Sequence, residues 1–353
     1  MEQTLRLVFW ELTARCNLKC SHCRAEAQEE SVEGELTTQE ILRIARDIRD
    51  AADPIIVLTG GEPLVRPDLF EIARACAGMF SQVALATNGT LVDDDMAREI
   101  ADSGIRRVSI SIDGATAQTH DEFRGVPGSF EQALSGLEAL KKVGLSLQIN
   151  TTVTRHNAEE LESILTLALE QGMDAFHVFM LVPVGCGAEI DDSSRLSAER
   201  TEEILEWLFE KSLELRGRLF VKATCAPQYA RIMREVSQKK GVQLSVETHG
   251  MNAASRGCLA GTGVCFVSRV GDVQPCGYLP VRVGNVLERR FGDIWHDSEV
   301  FDALRDPGQL KGKCGVCGYR VVCSGCRARA YALTGDFLSE EPDCPQESTG
   351  GKH

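Results

Sequence analysis

The sequence lacks the features that would assign the chain to a membrane, an export route or a nucleic acid. In its 353 residues there is no run of about 18 apolar residues that would predict a membrane-spanning helix. Residues 1–7 are charged and lead directly into a strand-like stretch, unlike a signal peptide. Basic residues are not in excess, because 52 acidic and 38 basic residues leave a formal net charge of −14. We therefore expect neither a membrane nor a nucleic acid as partner.

Cysteine is the one residue type that is unusually frequent. The apolar share of 43% and the charged share of 25% are those of an ordinary soluble globular protein, but the chain has 14 cysteines. The absence of an export signal disfavours a disulfide framework and predicts a reducing, cytoplasmic environment. Because thiolates prefer zinc, copper(I) or iron–sulfur clusters, clustered cysteines indicate metal binding.

Strand-like and helix-like segments alternate through the first half of the chain, which predicts βαβ units and a parallel sheet. The strand-like runs are residues 5–12, 55–58, 83–86, 107–112, 145–153 and 175–181. The helix-like stretches are residues 37–51, 68–78, 93–103, 119–143 and 157–171, and we expect helices to stop at Gly104 and Gly144. Six strands fit either a partial eight-fold barrel or an open doubly wound sheet.

The second half has a different pattern. Helices are predicted over residues 197–216 and 226–240 with a short strand at 219–223, followed by a mobile connection over 241–257. The cysteine-rich remainder predicts a second domain held by its metal sites rather than by a core. We divide the chain into a first domain (1–190), a helical linker (191–250), a cysteine-rich domain (251–346) and a disordered tail (347–353).

Three cysteines follow the first predicted strand in one short loop. Cys16, Cys20 and Cys23 are spaced C-x3-C-x2-C at the carboxyl end of that strand, where ligands of parallel α/β domains bind. Three thiolates can hold three irons of a [4Fe–4S] cluster and leave the fourth iron free to bind a small molecule. Structural zinc is the alternative, but it needs a fourth ligand, and His22 would strain the loop in supplying it.

This loop resembles the signature of the radical S-adenosylmethionine (radical SAM) superfamily, and further segments extend the resemblance. Gly60, Gly61, Glu62 and Pro63 after the second strand resemble the GGEP motif, which faces the methionine amino group of S-adenosylmethionine. Glycines there would let the ligand approach the backbone. Segments with Asn88, Ser111 and Asp113 resemble those that meet the ribose and carboxylate, and Arg124 is a candidate partner for a carboxylate of cofactor or substrate. For Asn88 a simple turn, and for Arg124 a solvated charge, are the alternatives.

The resemblance implies a fold and a chemistry. The fold is an α/β, partial (β/α)6 TIM barrel. One electron enters the cluster and cleaves the bound S-adenosylmethionine, and the 5′-deoxyadenosyl radical that results removes hydrogen from an unactivated carbon.

Eight further cysteines lie near the C-terminus, enough for two four-cysteine sites. Their order resembles the SPASM domain, which carries auxiliary [4Fe–4S] clusters, and two zinc ribbons are the alternative. The resemblance implies a first site of Cys258, Cys265, Cys276 and Cys326 and a second site of Cys314, Cys317, Cys323 and Cys344. The spacing of Cys323 and Cys326 departs from the SPASM pattern, because it is C-x2-C where C-x3-C is usual.

Three cysteines remain outside these sets. Cys76 lies in an apolar helical pattern and is predicted to be a core residue. Cys186 follows the sixth strand and Cys225 lies at a strand-to-helix turn, so either is a candidate for contact with substrate or metal. Of the two, we place Cys225 among the catalytic candidates with the first three cysteines; the alternative for both is a small buried hydrophobe.

Segments at residues 15–25, 176–187 and 255–263 resemble the radical SAM enzymes that modify tetrapyrroles. The resemblance implies oxidative decarboxylation of Fe-coproporphyrin III propionates to vinyl groups, giving haem b, with flavodoxin or ferredoxin as reductant. Alternatives are a didecarboxysiroheme deacetylase, an enzyme of haem d1 synthesis and a radical SAM/SPASM peptide maturase. A zinc-binding or electron-transfer protein would leave the GGEP segment unexplained.

A tetrapyrrole with carboxylate side chains would need cationic anchors and a ligand for its iron. The candidate anchors are Arg124, Lys222, Arg231, Arg234 and Arg256, each of which is otherwise an exposed charge. His177 and His249 are candidate iron ligands, and a structural role is the alternative for each.

Overall fold

The fold is built on one ten-stranded sheet. The computed structural model describes residues 4–245 and 256–346. Its strands are β1 (Leu7–Glu11), β2 (Ile55–Thr59), β3 (Val83–Thr87), β4 (Arg107–Ser111), β5 (Ser146–Val153), β6 (Ala175–Met180), β7 (Phe220–Thr224), β8 (Val264–Val267), β9 (Asp272–Gln274) and β10 (Gly284–Asn285). The order across the sheet is β10-β9-β8-β1-β2-β3-β4-β5-β6-β7. Strands β1 to β7 are parallel, β8 pairs parallel with β1, and β9 and β10 are antiparallel.

Helices connect the strands and cover the outer face of the sheet. They are α1 (Thr38–Ala51), α2 (Leu69–Met79), α3 (Asp94–Asp102), α4 (Ala117–Arg124), α5 (Ser129–Lys142), α6 (Leu161–Glu170), α7 (Ala198–Glu214), α8 (Tyr229–Lys240), α9 (Phe291–His296), α10 (Glu299–Arg305), α11 (Gly312–Val316) and α12 (Arg327–Thr334). A capping box at Thr37 and Glu40 begins α1. No helix in the described ranges is long and apolar enough to cross a membrane.

The strand order distinguishes the two architectures that the sequence left open. From β1 to β7 each strand lies beside its predecessor without a reversal, as in a barrel, whereas a doubly wound sheet reverses its order. All six strands predicted for the first half are present, and the short strand predicted over 219–223 is β7, which extends the sheet by pairing with β6 from Ala175↔Phe220 to Phe179↔Thr224. The predicted boundary at residue 190 is therefore corrected, because α7, β7 and α8 continue the barrel and are not a linker.

Glycines end or interrupt several helices. Helices α3 and α5 stop just before Gly104 and Gly144, as predicted, and both glycines have positive φ. The single helix predicted over 119–143 is two helices, because the chain turns at Gly125 and Gly128 with φ of 72° and 83°. This turn separates α4 from α5 and brings the end of α4 to the first cysteine loop.

The cysteine-rich region shares the main hydrophobic core. Alternate strand residues such as Val8 and Trp10 pack outward against the helices, as expected for a sheet covered on that face. Phe291 and Phe301 of the C-terminal region are buried in the same cluster. The expectation that metal sites alone hold this region is therefore wrong. The predicted tail 347–353, and residues 246–255 of the predicted connection, lie outside the described residues.

Glu11 at the end of β1 connects the barrel to the cysteine-rich region. Its side chain is buried, and its two oxygens lie 3.4 Å from Arg24 Nη1 and 2.8 Å from Arg269 Nη1. Arg24 also lies over the ring of Phe266 on β8, 4.7 Å from the centroid. Removal of the carboxylate would leave two partly buried cations without a counter-charge.

We predict that Glu11→Ala lowers the free energy of unfolding by roughly 2–4 kcal/mol. Lys142→Ala is the matched control, because its ion pair with Asp94 is solvent-exposed and such pairs contribute less than about 1 kcal/mol. Urea unfolding of the iron-free protein measures both. Equal effects of the two substitutions would contradict the role of Glu11.

Candidate functional site

The first three cysteines lie in a loop that closes on itself at the carboxyl end of β1. Cys16 N donates to Gln28 O at 2.8 Å, and Gln28 N donates to Ala14 O at 3.0 Å. Each thiol also accepts a hydrogen bond: Leu18 N lies 3.4 Å from Cys16 Sγ, Ala27 N 3.5 Å from Cys23 Sγ, and Arg124 Nη1 3.6 Å from Cys20 Sγ. N–H donors at every sulfur fit an iron–sulfur cluster, whose thiolates are stabilised by such bonds.

His22 has partners other than the cysteines. Its ring stacks on Phe123 with centroids 4.1 Å apart, and its Nε2 lies 3.4 Å from Asp113 Oδ2. Burial lowers the pKa of His22 to about 4, so the ring is neutral near pH 7. Across the described ranges, no three His, Cys, Asp or Glu side chains converge closely enough to hold a single metal ion.

The two glycines after β2 face the cysteine loop rather than an open ligand site. A Cβ added to Gly61 would stand 2.5 Å from Arg15 O and 2.6 Å from Ala14 O. Gly61 N donates to Thr13 O at 2.8 Å, and the next residue, Glu62, donates its N–H to Arg15 O at 2.7 Å. These glycines therefore admit the backbone that carries Cys16, and the approach of a ligand to their own backbone stays a prediction.

The same loop is also held from the end of β6 and from the end of helix α4. A Cβ on Gly185, after β6, would stand 2.5 Å from Cys23 O, and Cys186 N donates to that oxygen at 2.9 Å. From the end of α4, Phe123 O accepts a hydrogen bond from Ser21 N at 3.1 Å. Cys186 thus contacts the cysteine loop through its backbone.

Glu62 is buried beneath the loop and fixed by three donors. Its carboxylate accepts from Leu64 N at 3.0 Å, Thr87 Oγ1 at 2.8 Å and Asn88 N at 2.7 Å. Burial raises the pKa of Glu62 to about 7, although these hydrogen bonds lower it. Pro63 follows as the first residue of a short 3-10 turn.

The predicted ribose and carboxylate segments are held by contacts within the protein. Asn88 Nδ2 donates to Asn17 Oδ1 at 2.9 Å and lies 3.9 Å from Cys16 Sγ, which ties the end of β3 to the loop. Ser111 ends β4 in register with Asn150 of β5.

Arg124 is neither a solvated charge nor free for a ligand's carboxylate. It is 8% exposed, and its Nη2 lies 2.6 Å from Asp113 Oδ2. The other oxygen of Asp113 accepts from Thr152 N at 2.7 Å. Burial alone would raise the pKa of Asp113, but the charge of Arg124 holds it below its usual value. The sequence-based roles of both residues are corrected: they form an internal ion pair that donates to Cys20.

The second auxiliary set comes together as the resemblance implied. Cys314, Cys317, Cys323 and Cys344 line one cavity, together with Arg231. Arg327 Nη2 lies 3.8 Å from Cys314 Sγ, and Gly325 N lies 3.4 Å from Cys323 Sγ. These donors again fit thiolate ligands of an iron–sulfur cluster.

The first auxiliary set differs from its predicted membership. Cys276 packs against the small cluster that includes Cys326. Burial, and then the charges of Cys258 and Cys326, raise the pKa of Cys276 to about 12. Cys265 is not with them: it lies on β8 opposite Val8, fully buried in the main hydrophobic core. Its assignment as a ligand is corrected, because its side chain belongs to the outer face of the sheet.

Cys225, the next residue after β7, lies near that set. It packs with Cys276 against a small cluster that includes Cys326. The sequence signal for this was the position of Cys225 at a strand-to-helix turn at the catalytic end. Cys76, in contrast, is fully buried in α2, as expected of a core residue.

A polar group lines the inner face of β5, β6 and β7. Gln148 Nε2 lies 2.6 Å from Asn150 Oδ1 and 2.9 Å from His177 Nδ1, and Lys222 is the β-sheet partner of His177. Neighbouring residues of these strands, such as Phe176, point outward into the core. His177 Nε2 is buried and has no hydrogen-bond partner among the described residues. Sequence reasoning singled out His177 and Lys222 but not the amides.

The other candidate anchors have internal partners. Arg231 is 2% exposed and pairs with Glu202 and Glu235. Arg234 donates to Ala230 O at 2.6 Å, and Arg256 donates to Val321 O at 3.2 Å. For Lys222 the described part of the chain offers no ion-pair partner. His249 lies outside the described residues.

Comparison with known proteins agrees with this architecture. Residues 10–168 match the radical SAM superfamily, and residues 258–327 match the SPASM iron-sulfur cluster-binding domain. The chain is 52% identical to the AdoMet-dependent heme synthase of Methanosarcina barkeri, over 98% of this chain and 97% of that protein. It is 35% identical to the pre-heme d1 synthase of Dinoroseobacter shibae, over 96% of this chain and 85% of that protein.

A solved structure shares the fold. Streptococcus suis SuiB bound to S-adenosylmethionine superposes with a TM-score of 0.76 at 18% identity, covering 98% of this chain and 78% of SuiB. The likeness extends over both the barrel and the cysteine-rich region. It agrees with a partial barrel followed by a SPASM domain.

We predict that Gly61→Ala displaces the cysteine loop, because the atoms it would meet are backbone atoms that no rotamer change can move. The expected cost is about 1–3 kcal/mol of stability, together with loss of iron from the N-terminal site. Iron and sulfide analysis after anaerobic reconstitution measures the second effect.

Gly78→Ala is the matched control for this substitution. Gly78 lies in α2 with no heavy atom within 4 Å of an added Cβ, so alanine should stabilise the helix by about 0.5–1 kcal/mol and leave the iron content unchanged. Full iron content in Gly61→Ala would show that the close contact does not fix the loop.

Proposed function

The chain belongs to the radical SAM superfamily, in the family of the AdoMet-dependent heme synthases, and we propose that it converts Fe-coproporphyrin III to haem b. In this reaction each of two propionates loses a hydrogen atom, carbon dioxide and one electron and becomes a vinyl group. The observation that carries the substrate assignment is the 52% identity over nearly the whole length of a relative with that name.

The N-terminal site would hold the reactive cofactor. Cys16, Cys20 and Cys23 would bind a [4Fe–4S] cluster whose fourth iron takes S-adenosylmethionine, and the pair supplies a 5′-deoxyadenosyl radical when reduced. Glu62, Ser111 and the backbone of Gly60 would receive the methionine and ribose groups. Asp113 and Arg124 would act indirectly, since Arg124 donates to Cys20 and Asp113 holds Arg124 in place through their ion pair.

The inner face of β5 to β7 would receive the tetrapyrrole. Lys222 supplies a cation for a propionate, and the absence of an ion-pair partner for it in the described part of the chain supports this role. Burial lowers the pKa of Lys222, which makes a bound carboxylate the natural counter-charge. His177 is held at Nδ1 by Gln148, so its unpartnered Nε2 is available to the substrate iron.

The C-terminal cysteines would hold auxiliary clusters. Cys258, Cys276 and Cys326 supply three thiolates of the first cluster. Cys314, Cys317, Cys323 and Cys344 supply the second. A one-electron donor of the flavodoxin or ferredoxin class would reduce the N-terminal cluster, and a cluster beside the substrate is a suitable acceptor for the electron that decarboxylation releases.

We predict that the anaerobically reconstituted protein, given S-adenosylmethionine, dithionite and Fe-coproporphyrin III, forms haem b, carbon dioxide and 5′-deoxyadenosine. Chromatography with absorbance and mass detection identifies all three products. Cys20→Ala is the negative control, because it removes one of the three thiolates.

Parallel reactions separate the substrate assignment from the superfamily chemistry. Deoxyadenosine without any change in the porphyrin would reject coproporphyrin as substrate and keep the radical chemistry. Turnover of didecarboxysiroheme, or of a haem d1 precursor, in place of Fe-coproporphyrin III would assign one of the related reactions instead. The 35% identity to a pre-heme d1 synthase makes haem d1 synthesis the second candidate.

We predict that Lys222→Met raises the KM for Fe-coproporphyrin III about tenfold. This factor corresponds to the loss of one charge-assisted contact that contributes roughly 1.4 kcal/mol to binding. Methionine keeps the length of the side chain and removes the charge. Lys239→Met is the control, since Lys239 is exposed at the end of α8. An unchanged KM, measured at saturating S-adenosylmethionine, would remove Lys222 from the substrate site.

A further inference from the structure

Cys225 lies beside three cysteines that come from a different part of the chain. It follows β7 of the barrel, whereas Cys258, Cys276 and Cys326 belong to the cysteine-rich region. Its side chain packs against the small cluster that includes Cys326, as that of Cys276 does. The SPASM match begins at residue 258 and does not include Cys225.

Backbone contacts bring the two chain segments together. A Cβ on Gly257 would stand 2.4 Å from Pro227 O and 2.8 Å from Cys323 O, so this glycine is wedged between the turn after β7 and the second cysteine set. Its neighbour Cys258 donates its N–H to Cys323 O at 3.2 Å. The turn that carries Cys225 is therefore fixed against the segment that carries Cys258.

One buried ion pair holds the backbone at both Cys225 and Cys326. Arg329 Nη2 donates to Cys225 O at 3.1 Å, and Arg329 Nη1 lies 3.1 Å from Glu341 Oε1. The other oxygen of Glu341 accepts the N–H of Cys326. Arg329 and Glu341 are each 1% exposed, so this arrangement is rigid and shielded from water.

The backbone of Cys225 has a conformation that needs such support. Its φ is 55°, in the left-handed region that residues with a Cβ seldom adopt. Strained backbone of this kind persists where surrounding contacts fix it, and it is concentrated at functional sites. Here the strained residue is the one whose side chain, like that of Cys276, packs against the small cluster that includes Cys326.

None of the other C-terminal cysteines is available as a fourth thiolate beside Cys258, Cys276 and Cys326. Cys265 is on the opposite face of the sheet, in the main core, and burial is the whole cause of its raised pKa. Cys314, Cys317, Cys323 and Cys344 line their own cavity. A cubane cluster bound only by Cys258, Cys276 and Cys326 would have one iron without a protein thiolate.

We infer that Cys225 is the fourth thiolate of the first auxiliary iron–sulfur cluster, which the barrel and the cysteine-rich region thus bind jointly. The inference rests on the presence of an auxiliary cluster and does not depend on the tetrapyrrole substrate. It assigns a metal ligand that lies 33 residues before the first cysteine of the SPASM match, far outside its spacing pattern.

The experiment compares Cys225→Gly, Cys225→Ser and Cys265→Ala in the full chain, in a background where Cys16, Cys20 and Cys23 are alanine. The background restricts iron to the C-terminal sites. Glycine removes the thiol and accepts the positive φ without strain, and serine keeps an oxygen donor of similar size. Iron, sulfide and the EPR spectrum of the reduced protein are measured after anaerobic reconstitution.

We expect Cys225→Gly to lose about four irons and four sulfides, or to keep them with a shifted EPR signal from an iron that has lost its thiolate. Cys225→Ser should retain the cluster with shifted g values. Cys265→Ala should match the background in all three measurements. The signal of the second auxiliary cluster serves as a folding control, because a misfolded chain would lose both signals.

Two results would overturn the assignment. One is a Cys225→Gly protein with iron, sulfide and EPR signals identical to those of the background. The other is loss of the first auxiliary signal in Cys265→Ala with that signal intact in Cys225→Gly. If the glycine variant does not fold, the serine variant decides, since unchanged g values there would reject Cys225 as a ligand.

Discussion

The geometry of the N-terminal site depends on close backbone contact between the cysteine loop and the ends of other strands. Gly61 after β2 and Gly185 after β6 each approach a loop carbonyl so closely that an added Cβ would lie 2.5 Å from its oxygen. Side chains can change rotamer, but backbone atoms at such distances cannot yield without moving the loop. Because β2 and β6 lie on either side of β4 in the sheet, contact of both strand ends with one loop makes the position of the three thiols depend on the curvature of the sheet.

A second constraint is that each buried arginine next to the cysteines needs a carboxylate as counter-charge. A buried guanidinium is costly unless a carboxylate pairs with it, so Arg124 pairs with Asp113 and Arg329 pairs with Glu341. Each of these arginines also donates to a cysteine thiol or to a cysteine carbonyl. These arginines are thus tied to the protein, whereas Lys222 on the inner face has no ion-pair partner among the described residues.

Spacing along the sequence predicted sites whose residues are close in the chain, and it missed features that depend on the tertiary structure. The loop of Cys16, Cys20 and Cys23 and the segment at Glu62 could be recognised because their residues are adjacent in the chain. Cys265 could not be separated from the ligand set by spacing, since only the register of β8 against β1 shows that its side chain faces the core. The helix break after Arg124 was missed because the apolar periodicity continues across Gly125 and Gly128.

The barrel and the cysteine-rich region form one unit, and β7 is the element that makes their sites adjacent. Lys222 on the inner face and Cys225 at the first auxiliary set are three residues apart, so at most roughly 10 Å of extended chain separates them. The second set lies beyond the Arg329–Glu341 pair, where Glu341 N contacts Cys314 Sγ at 3.2 Å. An anion bound at Lys222 would therefore lie near Cys225 and the first auxiliary set. On the proposed function, this adjacency favours the first cluster as acceptor for an electron that leaves the substrate.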